Sequence, residues 1–78
     1  MNIKKEDLIE FIKDKVDFDD LDEKTLLFSE GNLDSVSQLD LIAFIEDKTG
    51  VQVEQLDVTL ENFDSIERIL IFITKKKV

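Results

Sequence analysis

Not one proline occurs in these 78 residues, and only two glycines, Gly31 and Gly50, interrupt the chain. An all-β protein needs a turn about every 8 to 12 residues, and such turns draw heavily on Pro and Gly. Without that punctuation, helices are the default expectation. Seventy-eight residues also make one domain, residues 1–78, because a second independent core would need about twice the length. Ile, Leu, Val and Phe are spread along the chain with no low-complexity tract. That supplies enough apolar surface to fold despite 37% charged residues.

Two absences narrow the function. With neither Cys nor His, the chain has no disulfide, no thiolate zinc site, no Cys nucleophile and no His-based triad. An enzyme working near neutral pH needs a group that titrates there, and only a strongly shifted carboxylate or Lys would supply one. The chain is therefore expected not to be an enzyme. Its net charge of −9 repels nucleic acid and anionic membrane surfaces and favours partners that present a basic patch. Met1-Asn2-Ile3-Lys4-Lys5 leads straight into Glu6 and Asp7, unlike the apolar stretch of a signal peptide, so a cytoplasmic protein is expected. Unbroken apolar runs such as Ile69 to Ile73 fall far short of the ~20 residues that cross a bilayer.

Periodicity divides the chain into segments. Leu8, Ile9, Ile12 and Val16 share one side of a first helix, about Lys4 to Val16. From Asp17 to Asn32 the period fails and acids gather as Asp17, Asp19, Asp20, Asp22 and Glu23, which reads as a long solvated loop. Loops beyond roughly 12 to 15 residues are functional or pinned, and Leu26, Leu27 and Phe28 are the expected pins. A second helix opens at Leu33-Asp34-Ser35 and runs to Thr49, closed by Gly50. Leu41, Ile42 and Ile45 form one apolar face of it, while Val36, Leu39 and Ala43 extend another. Burial against more than one neighbour, as the central helix, is expected. Val51 to Glu61 reads as a short helix or turn. The final helix begins at Asp64 with the stripe Ile66, Ile69, Leu70, Ile73, with Asp64 and Glu67 as its capping pair and Lys75, Lys76 and Lys77 at its negative end. The whole is an all-α fold, a four-helix bundle.

Asp-Ser occurs twice, at Asp34-Ser35 and Asp64-Ser65, each time before a β-branched aliphatic. Both residue types are favoured helix caps, and for Ser65, set against the most regular apolar stripe, capping is a sufficient role. Ser35 has different surroundings. Gly31-Asn32 frees the backbone before it, a long loop keeps it accessible, and an acidic edge follows. That edge is Asp40 and Asp47, seven residues and so only about 20° apart around the axis, flanked by Glu46. A helix N-terminus offers N–H groups and a positive dipole end to an attached phosphate, an advantage that Asp34 partly opposes. Asp34 is also placed to help hold a metal ion during attachment. With no base nearby, the Ser35 hydroxyl reads as an acceptor modified by a second enzyme.

Through Gly31-Asn32-Leu33-Asp34-Ser35-Val36 the sequence resembles the acyl carrier protein family, including peptidyl and aminoacyl carrier domains, over nearly its whole length. The resemblance implies the family's four-helix bundle, with a long loop between helices one and two and a short third helix. It implies that Ser35 receives 4′-phosphopantetheine from coenzyme A through a phosphopantetheinyl transferase, with Asp34 as the acid before it. The arm would carry acyl or aminoacyl groups as thioesters. Val36, Asp40, Glu46 and Asp47 would dock loading, synthase and transferase enzymes through basic patches, with the carrier a monomer. Leu33 and Val36 stand where bacterial fatty-acid carriers place Ala and Leu, a departure that weakens assignment to primary fatty-acid synthesis and resembles stand-alone carriers of adenylating enzymes or specialised pathways, with fatty-acid, polyketide and specialised cargo left open. Asn62-Phe63-Asp64-Ser65-Ile66 is similar to the family's approach to its fourth helix, a structural role for Ser65.

Two other functions compete. One is a metal-binding module built on the acids from Asp17 to Glu23. A calcium loop wants Gly at its sixth position and Glu at its twelfth, where counting from Asp17 gives Asp22 and Phe28, so no metal ligand is assigned. The other is an acidic protein-interaction module without a prosthetic group, in which Ser35 is only a cap.

Overall fold

The computed structural model describes residues 3–16 and 20–77, the last without its side chain. Met1, Asn2, the loop acids Asp17 and Asp19, and the Lys77 side chain lie outside the described residues. Helix α1 spans Lys5–Lys15. Its first turn is closed by the Lys4 N–H donating to Asp7 Oδ2 at 2.9 Å, and its last turn holds Lys13 and Lys15, as the helix dipole favours. Leu8 and Ile12, one turn apart, are its buried pair.

Helix α2, Ser35–Thr49, has the boundaries its flanking residues predict. Asp34 is extended and its carboxylate accepts the Ser37 N–H at 2.8 Å, satisfying one of the free donors of the first turn. At the other end Gly50 takes the left-handed conformation, φ 74°, and returns its N–H to the Glu46 carbonyl at 2.9 Å. Leu41 and Ile45 are buried on the inner face.

The segment expected as a short helix or turn holds two pieces, a 3₁₀ turn at Gln55–Asp57 and helix α3 at Leu60–Phe63, the latter capped by Thr59. The β-branched residues before them form no strand among the described residues, since a strand needs a partner. Helix α4, Ile66–Lys77, closes the fold. Its stripe of Ile66, Ile69 and Ile73 is buried with Phe72, whose ring lies 5.2 Å from that of Phe63. The Lys76 ammonium reaches back to Asp57 at 2.9 Å and Glu54 at 3.9 Å, so the end of α4 is clasped to the 3₁₀ turn.

Three expectations need correction. Val36 and Leu39 are 66% and 67% exposed and Ala43 is exposed too, so the second apolar face of α2 is uncovered. Periodicity reports which residues share a side, not whether a neighbour lies over it. Nor is α2 central: α4 packs against both α1 and α3, and α2 packs against α1. Finally, Asp64 does not cap α4. Ser65 does, its Oγ accepting the Arg68 N–H at 3.2 Å. Asp64 points back to the long loop, where two N–H groups converge on its carboxylate, one more than the cap position offered it.

The described part of the loop is pinned as expected by Leu27, which is fully buried, with Leu26 and Phe28 half-buried beside it. Nearer α1, Asp22 accepts the Lys24 N–H at 2.8 Å and the Thr25 hydroxyl at 3.1 Å, a local turn that uses its acid internally.

Candidate functional site

The two Asp-Ser pairs, alike in sequence, are divided by the fold. In the first, the acid caps the helix and the serine is the first helical residue, with Ser35 exposed. In the second, the serine caps and is only 4% exposed, while Asp64 is 3% exposed. Of the two serines, Ser35 is exposed and Ser65 is buried. The difference follows from what precedes each pair. Gly31 takes a left-handed φ of 74° and its N–H closes a turn onto the Phe28 carbonyl at 3.0 Å, which brings the chain back over the loop and leaves residues 34 to 36 at the surface. Leu33 is the last buried residue before them.

Electrostatics around Ser35 are set by Asp34. The Ser37 N–H bonded to it holds the carboxyl below its ordinary value of 3.8, so it is ionised across the neutral range. Its charge occupies the anion-attracting end of α2. One first-turn donor, the Ser37 N–H, is thus already taken by a carboxylate.

The four residues expected to dock partners do not all lie alike. Val36 is an exposed aliphatic beside the serine, and Asp40 and Asp47 are exposed one and three turns further along α2. Asp40 is paired with Lys15 of α1 at 3.0 Å, a surface bridge that an incoming cation can displace at small cost. Glu46 is half-buried and turned the other way, its Oε2 accepting the Val53 N–H at 2.9 Å. Asp40 and Asp47 therefore make the acidic edge, and Glu46 ties down the segment that follows Gly50.

Two features of the site escaped sequence reasoning. Leu39, assigned to the interior, stands exposed one turn from Val36. An apolar residue that regular spacing places on a face without a facing element was the available signal. The second is Asp64, whose partners lie 35 and 36 residues away and leave no local trace. No protein-family model matches the chain, and no curated protein matches it in sequence.

Proposed function

We propose that this chain is an acyl carrier protein, with the four-helix arrangement of that family, and that Ser35 bears its phosphopantetheine arm. The observation that carries the reading is the contrast between an exposed serine at the start of α2 and its buried twin at the start of α4. The residues present suit the group. Ser35 supplies the oxygen for a phosphodiester, Asp34 keeps the helix terminus from capturing the phosphate, and Ser35 is exposed among the described residues. The bound arm would supply a thiol that holds acyl or aminoacyl cargo as a thioester. In attachment the Ser35 oxygen would form a bond to the phosphopantetheine phosphorus of coenzyme A as the pyrophosphate P–O bond breaks, with adenosine 3′,5′-bisphosphate leaving and the hydroxyl proton passing to a base of the transferase.

Val36 and Leu39 offer an apolar contact beside the arm, and Asp40 and Asp47 offer charge to basic partners. Affinities of such contacts are modest and fall as salt screens exposed charges beyond about 8 to 10 Å. The test is incubation with coenzyme A, Mg²⁺ and a promiscuous phosphopantetheinyl transferase, followed by intact mass and peptide mapping. Wild type and Ser65→Ala gain one arm and Ser35→Ala gains none. A wild-type chain that gains no mass, or a gain that survives Ser35→Ala, overturns the assignment.

A further inference from the structure

Asp64 is a buried carboxylate that the carrier reading leaves without a task. Its Oδ1 accepts the N–H groups of Phe28 at 2.8 Å and Ser29 at 2.9 Å, and its main-chain carbonyl accepts the Leu27 N–H at 2.7 Å. Three successive amides of the long loop thus converge on one residue at the head of α4. Burying a carboxylate is costly, and these donors offset the cost by bonding its charged form. The tie does not stop at Leu27. The Leu27 carbonyl accepts the Leu33 N–H at 2.8 Å, and Asn32 Nδ2 donates to the Leu26 carbonyl at 2.8 Å. Leu33 is buried, and the next two residues are the cap of α2 and Ser35 itself.

We propose that Asp64 is a positioning residue for modification at Ser35, holding the segment from Leu27 to Leu33 so that the first turn of α2 is presented in one place. Ser65 and the Glu23 carbonyl, which accepts the Glu67 N–H at 2.9 Å, satisfy first-turn donors of α4 without the Asp64 carboxylate. Without the clamp the loop and the first turn of α2 sample other arrangements, and a transferase finds the competent one less often. The role at Ser35 rests on the carrier reading; the clamp itself does not.

The experiment therefore has two arms, run on wild type, Asp64→Ala and Asp64→Asn. In the first, amide hydrogen exchange is followed at Leu33, the far end of the tie, and at Ile45 in the middle of α2. Loss of two charge-assisted hydrogen bonds in Asp64→Ala should speed exchange at Leu33 by about ten- to a hundredfold more than at Ile45, whose rate follows the fall in overall stability. Asp64→Asn keeps an acceptor oxygen and should show only a few-fold change at Leu33. In the second arm, transferase kinetics with varied carrier should show KM for Asp64→Ala raised roughly tenfold with kcat retained, the signature of a depleted competent population, and largely restored in Asp64→Asn. Should Asp64→Ala not fold, Asp64→Asn decides by the same selective change at Leu33. Unchanged exchange at Leu33, equal acceleration at Leu33 and Ile45, or an unmoved KM with Leu33 opened would overturn the proposal. A wild type that accepts no arm would count against the carrier reading alone, since the exchange arm still judges the clamp.

Discussion

Ser35 and Ser65 are both preceded by aspartate, yet a hydroxyl deletion should separate them cleanly. Ser65→Ala removes a buried cap oxygen and should cost about 1 kcal/mol, a fall of roughly 4–8 °C in Tm for a domain of this size. Ser35→Ala removes an exposed hydroxyl and should stay within about 0.5 kcal/mol of wild type by urea or thermal unfolding. Asp64 sets a dependence on acid. Burial alone would push its carboxyl up, but the Ser29 and Phe28 N–H groups outweigh burial and hold it below the ordinary 3.8. A carboxyl depressed in the folded state contributes stability that is complete above the unfolded value and lost as pH falls through the folded one. Stability curves below about pH 4 should therefore be less steep for Asp64→Asn than for wild type. Neither behaviour of Asp64 was legible in its neighbourhood. Asp followed by Ser, with Glu three residues on, satisfies the local rules for a cap, and only the distant loop decided which of the two residues took that place.

At the scale of elements, α2 was the most legible because both its ends are marked by residues acting over one turn, Asp34 and Gly50. The stripe of α4 was equally plain, since Ile66, Ile69 and Ile73 repeat at the helical period and are all buried. The outer face of α2 was not, because Val36, Leu39 and Ala43 keep that period with nothing over them. The same local logic makes Gly50 testable. A Cβ there meets no atom within 4 Å, so the only penalty for Gly50→Ala is the left-handed backbone, and Tm should fall by roughly the 4–8 °C that about 1 kcal/mol gives. The clasp between α4 and the 3₁₀ turn should show in alkali. The Asp57 carboxylate bonded to Lys76 raises that ammonium above its ordinary 10.5, so the stabilisation is complete below that value and lost as pH rises through the folded one. Lys76→Met should be less sensitive than wild type to pH above about 10.5, measured by thermal unfolding.

Over the whole molecule, the sequence carries a net charge of −9, and the described fold extends 34 × 23 × 19 Å. At about 0.01 M salt the screening length is ~30 Å, so nearly every charge feels every other, whereas near 0.15 M it is ~8 Å and only neighbours interact. Tm should therefore rise between those conditions, because relief of self-repulsion outweighs the weakening of exposed ion pairs such as Lys15 with Asp40. A fall in Tm with added salt would mean that the ion pairs dominate. The exposure of Ser35 was legible from its approach and its cap, while the division of the neighbouring acids into an exposed pair and an inward tie at Glu46 required the fold. The division of labour between Asp34 and Ser35 carries one more consequence. Because the neighbouring acid closes the first turn of α2, a change at the Ser35 hydroxyl would leave that hydrogen bond in place, and the start of the helix does not depend on whether that oxygen is free or substituted.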